Sequence, residues 1–147
     1  MMKLNKKGTS LIEVILVLVI GGVLLDMSLK ATGPVTARFS VNLAQQSFVA
    51  LLARARAHAV ERGTRVDFHV DAAGDSAWIE IDGETLEVVR YPDVDLDASS
   101  GLTVCMSPRG TADTRCNSFS GVETVTFEAR GESSSLDILP LGKVVGG

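Results

Sequence analysis

The segment Thr9 to Leu25 constrains this chain more than any other, because its 17 positions carry a single charged side chain, Glu13. A helix of that length rises about 26 Å at 1.5 Å per residue, near the short end of what an apolar membrane interior requires. A cleaved secretory signal has a shorter apolar core, about 7 to 15 residues, followed by a small-residue cutting site. Here the run is followed by Asp26-Met27-Ser28-Leu29-Lys30, which offers no such site. An ordinary anchor fits the length but leaves Glu13 unexplained. A carboxylate placed centrally in a membrane helix costs on the order of 2.5 to 3.5 kcal/mol, and less near the interface, so Glu13 is a functional candidate by default.

The residues around it, Lys6-Lys7-Gly8-Thr9-Ser10-Leu11-Ile12-Glu13, form a longer pattern: basic residues, a glycine, then an apolar run with glutamate at its fifth position. This pattern resembles the processing site of type IV prepilins, departing from it at Thr9, where that family most often has phenylalanine. The resemblance implies a leader, residues 1–8, that a prepilin peptidase removes by cutting between Gly8 and Thr9. Thr9 then becomes the N-terminus and is methylated. Glu13 lies one helical turn from the new amine on the same face, and in a packed filament it would neutralise the amine of a neighbouring subunit. Lys3, Lys6 and Lys7 predict a cytoplasmic leader by the positive-inside rule. The expectation is a single-pass protein of the bacterial inner membrane with a periplasmic C-terminal domain, which then enters a pilus or pseudopilus. The implied partners are the prepilin peptidase, other pilin or pseudopilin subunits, inner-membrane lipid and the inner-membrane assembly machinery.

The rest of the chain is long enough for one modest domain, since the whole has 147 residues of which 46% are hydrophobic. Its net charge of −4 conceals an asymmetry. Between Val35 and Arg65 lie Arg38, Arg54, Arg56, Arg62 and Arg65 against Glu61 alone, whereas from Val66 onward 15 acidic residues face five basic ones. A basic helix therefore leads into an acidic domain.

Gly33-Pro34 predicts either a helix end and a fresh start or, by the pilin resemblance, a soft segment within one long helix, because an internal proline removes a main-chain donor and kinks the axis. Beyond it, Phe48, Leu52, Ala55 and Ala59 recur at spacings of four, three and four, one apolar stripe on a helix reaching Arg62, with Gly63 as its C-cap. Alternating apolar residues then predict strands at Val66-Phe68-Val70 and Ala77-Ile79-Ile81, and Asp82-Gly83 predicts a hairpin into Leu86 and Val88. Further strands are expected at Leu102 to Met106, Val122 to Glu128, Ser135 to Leu139 and Lys143 to Val145. The plan is thus a leader (1–8), a transmembrane assembly helix (9–33), the second part of a helical spine (34–63) and a β-rich periplasmic or extracellular domain (64–147). The predicted class is α+β: a pilin-like long N-terminal helix, its first half membrane-spanning, packed on a small antiparallel β domain.

Two stretches narrow the class. Leu51 to Arg62, running as Leu-Leu-Ala-Arg-Ala-Arg-Ala-His-Ala-Val-Glu-Arg into a strand, resembles the GspH/FimT group, and so does the ending from Leu136 to Val145. The resemblance implies a minor pilin or a type II secretion pseudopilin that initiates or adapts filament assembly.

Chemistry beyond assembly finds little support. Cys105 and Cys116, with ten residues between them, predict a disulfide in the exported part, worth about 2 to 3 kcal/mol for a loop of this size. His58 and His69 make no zinc spacing with them. Asp93, Asp95 and Asp97 alternate, but the glycine and terminal glutamate of a calcium loop are missing, so a solvated acidic loop is the reading. No nucleophile elbow or catalytic triad is present; no cofactor and no enzymatic activity are expected. The arginine-rich helix raises the alternative of a minor pilin that binds DNA for uptake. Against it, the ending keeps Gly142 and Lys143 without further basic residues, and the acidic domain repels phosphates.

Overall fold

The computed structural model describes residues 11–99, 101–113, 119 and 121–146, and for residues 27–34 only the helical backbone. One helix, α1, runs from Leu11 to Arg62 over 52 residues. The break expected at Gly33-Pro34 does not occur: helix is continuous through both positions. The chain nevertheless divides into two compact units, the first ending at Val35 and the second comprising residues 36–147.

In the first unit the large apolar side chains from Leu11 to Leu25 are all exposed. The transmembrane assignment made from sequence is corrected here, because no helix among the described residues is long and apolar enough to cross a membrane. The apolar run from Leu11 to Leu25 covers about 23 Å, short of the roughly 30 Å hydrocarbon core, before Asp26 interrupts it. The single-pass inner-membrane placement that rested on this span is withdrawn with it.

The second unit begins with the amphipathic part of α1. Ala37, Val41, Ala44, Phe48, Leu51, Leu52, Ala55 and Ala59 are buried at the three- and four-residue steps of one helical face. Gly63, at φ +65°, closes the helix in the left-handed conformation that a glycine adopts without strain. Eight strands follow: β1 (Val66–Asp71), β2 (Ser76–Ile81), β3 (Glu84–Arg90), β4 (Asp95–Asp97), β5 (Thr103–Met106), β6 (Glu123–Ala129), β7 (Glu132–Ile138) and β8 (Val144–Gly146), with a 3-10 turn at Pro140–Gly142 before the last.

The strands form two four-stranded sheets of order β3-β2-β1-β5 and β4-β6-β7-β8, and every pairing is antiparallel. Tight hairpins set the registers. Asp82-Gly83 and Arg130-Gly131 place both residues at positive φ, the geometry whose twist matches a two-residue hairpin. Strand alternation points Val66, Phe68, Val70, Ala77, Ile79 and Ile81 inward from the first sheet, and Val125, Phe127, Ala129, Leu136 and Ile138 from the second. Phe48 of α1, fully buried, meets Phe68 edge-on at 5.2 Å and Phe127 at 5.4 Å, so its ring touches an aromatic side chain from each sheet. β4 falls where a solvated acidic loop was expected; Asp95 and Asp97 are exposed while Leu96 between them is buried and paired opposite Phe127.

Candidate functional site

Of the residues implicated by the sequence, Gly8 and Thr9 lie outside the described residues. Glu13 stands in the first turn of α1, an exposed carboxylate among exposed apolar side chains. The disulfide expectation is corrected to what can be seen. Cys105 is buried in β5 and is not a free thiol, but Cys116 lies outside the described residues, so no Cys105–Cys116 bond is carried forward.

Arg38, Arg54 and Arg56 of the helix and Arg65 just beyond it are engaged within the chain, whereas Arg62 is exposed. Arg38 pairs with Glu132 of β7 at 3.0 Å. Arg54 pairs with Glu87 of β3. Arg65 makes a forked contact with Asp67 at 2.7 and 3.2 Å and approaches the Cys105 sulfur at 2.9 Å. The Asp67 hydrogen bond, aided by its charge and that of Asp113, raises the Arg65 pKa further above its ordinary value. Arg56 reaches the C-terminal turn, where Nη2 donates to the carbonyls of Leu141 and Gly142.

That turn is built tightly. Leu141 sits at φ +79°, a conformation unfavourable for a side chain with a Cβ, and its side chain is 65% exposed. Gly142, at φ +70°, has no room for a Cβ, which would stand 2.9 Å from Arg56 Nη2 and 3.2 Å from Met106 Cε. The two carbonyls accept the arginine because both point to one side of this turn.

His69 stacks on Trp78 with ring centroids 5.0 Å apart, its Nδ1 3.0 Å from Thr103 Oγ1 and its Nε2 3.7 Å from Glu80. His58 is a half-buried helix position. Among the described residues no cluster of histidine, cysteine and carboxylate could hold a metal ion. Tyr91 lies on the wall of a largely apolar cleft of about 180 Å³ between α1 and the β3–β4 connection. Burial raises its pKa above 10.0; Ser47 acts weakly in the opposite sense, and the buried hydroxyl closes no hydrogen bond of normal geometry.

Sequence reasoning missed two devices. Asp75, at φ +43° in the β1–β2 turn, accepts the Leu96 main-chain N–H at 2.8 Å through Oδ1 and so fixes β4. Arg56 was one of several helix arginines, and nothing local distinguished its partner 85 residues away. The turn-forming Asp-x-x-Gly-Asp run from Asp71 to Asp75 is the only local signal for the first.

The sequence model of the family described as "Type II transport protein GspH" matches residues 44–142. No curated protein matches by sequence. Among solved structures, the type IV minor pilin FimU of Pseudomonas aeruginosa is similar, with TM-scores of 0.60 and 0.57 in two crystal forms at 16% identity, covering 75% and 72% of this chain and 90% and 91% of FimU. The minor pseudopilin EpsH of the Vibrio cholerae type 2 secretion system is similar at TM-score 0.55 and 12% identity, covering 74% of this chain and 96% of EpsH. These likenesses establish the fold, and the match over residues 44–142 establishes the family: the chain belongs to the GspH family of type II transport proteins.

Proposed function

We propose that this chain is matured by a prepilin peptidase between Gly8 and Thr9, leaving Thr9 as a methylated N-terminus, and is built into a type IV pilus or type II secretion pseudopilus, where it helps initiate or adapt assembly. The observation that carries this reading is the exposed apolar surface of α1 from Leu11 to Leu25 with Glu13 in its first turn. A surface of that size is not stable in water and calls for cover. Neighbouring subunits with the same kind of helix supply it, and the Thr9 amine of one supplies the counter-charge for Glu13 of another. Pairing removes two isolated charges from an apolar setting.

Co-expression with a prepilin peptidase tests the first step. Mass spectrometry should show loss of residues 1–8 and gain of one methyl group; an unshortened chain under conditions where a known prepilin is cut overturns it. The DNA-binding alternative gains no specific observation, since Arg38, Arg54, Arg56 and Arg65 all have partners within the chain.

A further inference from the structure

The outer face of the first sheet, opposite the side from which Phe68 meets Phe48, carries a row of side chains across all four strands. Thr103 on β5, His69 on β1, Trp78 on β2 and Val88 on β3 stand opposite one another in the strand registers. His69 is the one ionisable member of this row. Its ring lies nearly parallel to the Trp78 indole, 14° apart with centroids at 5.0 Å.

The imidazole is only half satisfied. Nδ1 lies 3.0 Å from Thr103 Oγ1, while Nε2 faces Glu80 Oε2 at 3.7 Å, beyond hydrogen-bond length. Nε2 is buried and makes no hydrogen bond. Neither neutral tautomer repairs this: with the proton on Nδ1, a lone pair faces a carboxylate, and with it on Nε2, the N–H falls short of its acceptor. Glu80 is equally incomplete. It stands opposite Asp67 in the β1–β2 register, like charge against like charge, an unfavourable cross-strand pair. Arg65 neutralises Asp67, but among the described residues no arginine or lysine pairs with Glu80.

We infer that His69, Glu80 and Thr103 form a proton-operated latch between β1, β2 and β5. Protonation makes both ring nitrogens donors. Nε2–H then closes on the Glu80 carboxylate, a movement of about 1 Å to reach the length of a charge-assisted bond. Nδ1–H donates to Thr103 Oγ1, and the hydroxyl turns its own hydrogen toward the Gly101 carbonyl, 3.5 Å away on the approach to β5. The charged ring rests against the face of Trp78, where the indole quadrupole favours a cation. Loss of the proton reverses each step and leaves Glu80 unpaired. Histidine is the side chain that changes charge between about pH 5 and pH 8, so mild acid closes the latch and mild base opens it.

The other charged groups on this face do not compete for the ring. Asp67 and Asp71 flank His69 along β1, but Asp67 is forked to Arg65 and Asp71 accepts the Ala73 N–H in the turn that follows. On β3, Arg90 stands opposite Ser76, outside the row. On β5, Cys105 is not a free thiol.

Trp78 is the only tryptophan in the chain, so its emission reports this row alone, and a protonated imidazole stacked on an indole quenches that emission. In detergent-dispersed full-length protein, emission should fall by at least about a third in one step between about pH 8 and pH 5, with unchanged far-ultraviolet circular dichroism. His69→Gln should abolish the step. In acid, the His69 Nε2–H followed by NMR should exchange with water at least about tenfold more slowly in the parent than in Glu80→Gln, which keeps the shape and removes the charge. The two comparisons use different variants, so failure of one to fold leaves the other standing. A parent emission that does not respond overturns the inference, as does a step that survives in His69→Gln or that accompanies loss of secondary structure. Equal Nε2–H exchange in the parent and Glu80→Gln overturns it too.

Discussion

Arg56 donates to the Leu141 carbonyl at 2.8 Å and to the adjacent Gly142 carbonyl at 2.6 Å, clasping a turn in which Leu141 itself is held at φ +79°. One side chain on α1 thereby fixes the approach to β8. The strained Leu141 backbone is held in a turn that both Arg56 hydrogen bonds brace.

Arg56→Ala should lower stability by about 1 to 2 kcal/mol, the range for charge-assisted bonds that are partly solvated. The loss will be local before it is global: amide exchange over residues 139–146 should accelerate more than in β1 or β6. Arg56→Lys should recover part of it, since both bonds come from the single nitrogen Nη2 and an ammonium also carries several N–H donors, on a shorter side chain. Unchanged exchange near β8 in the alanine variant would show that the clasp does not hold the turn.

Phe48→Ala should cost about 3 to 5 kcal/mol, because it leaves a cavity where the rings of Phe68 and Phe127 now meet it. Phe48→Leu should cost markedly less. Urea denaturation monitored by circular dichroism measures both, and a loss below about 1 kcal/mol for the alanine variant would contradict the central place given to this ring.

Tyr91 supplies a pH test. Its folded pKa is raised above 10.0 by burial, so the folded state favours the neutral phenol. The stability linked to this is fully present below pH about 10 and is lost as pH rises through the folded pKa. Tyr91→Phe should be neutral to slightly stabilising at pH 7, because it removes a buried hydroxyl without a well-formed hydrogen bond. The variant should also lose less stability than the parent above pH 10. Parallel stability curves for the two proteins up to pH 11 would rule out this assignment.

Glu13→Ala should leave the thermal transition of residues 36–147 unchanged, since among the described residues no buried core residue comes from the first unit. Incorporation into isolated filaments should fall at least tenfold. Normal incorporation would remove Glu13 from the assembly role proposed for it.

Local periodicity carried most of the architecture. The Phe48, Leu52, Ala55, Ala59 stripe and the alternation at Val66-Phe68-Val70 are visible in sequence because burial on one face writes a period of 3.6 or 2. β4 was not visible. Asp95-Leu96-Asp97 is three residues long with charge on both sides, and only its pairing with β6 and the Asp75 cap make it a strand. Pro34 was misleading for the opposite reason, a strong local breaker in a helix that continues through it. The arginine partners were illegible because they depend on contacts as distant as Arg56 and Gly142. Glu13 stood out only as a charge in an apolar run, and the membrane span read from that run did not survive among the described residues.

The ring contacts of Phe48 also bear on how this domain comes apart. Because one helical side chain is packed against Phe68 and Phe127 together, neither sheet can shed the helix without uncovering the inner face of the other. The two sheets therefore belong to a single cooperative unit, and their unfolding transitions should coincide.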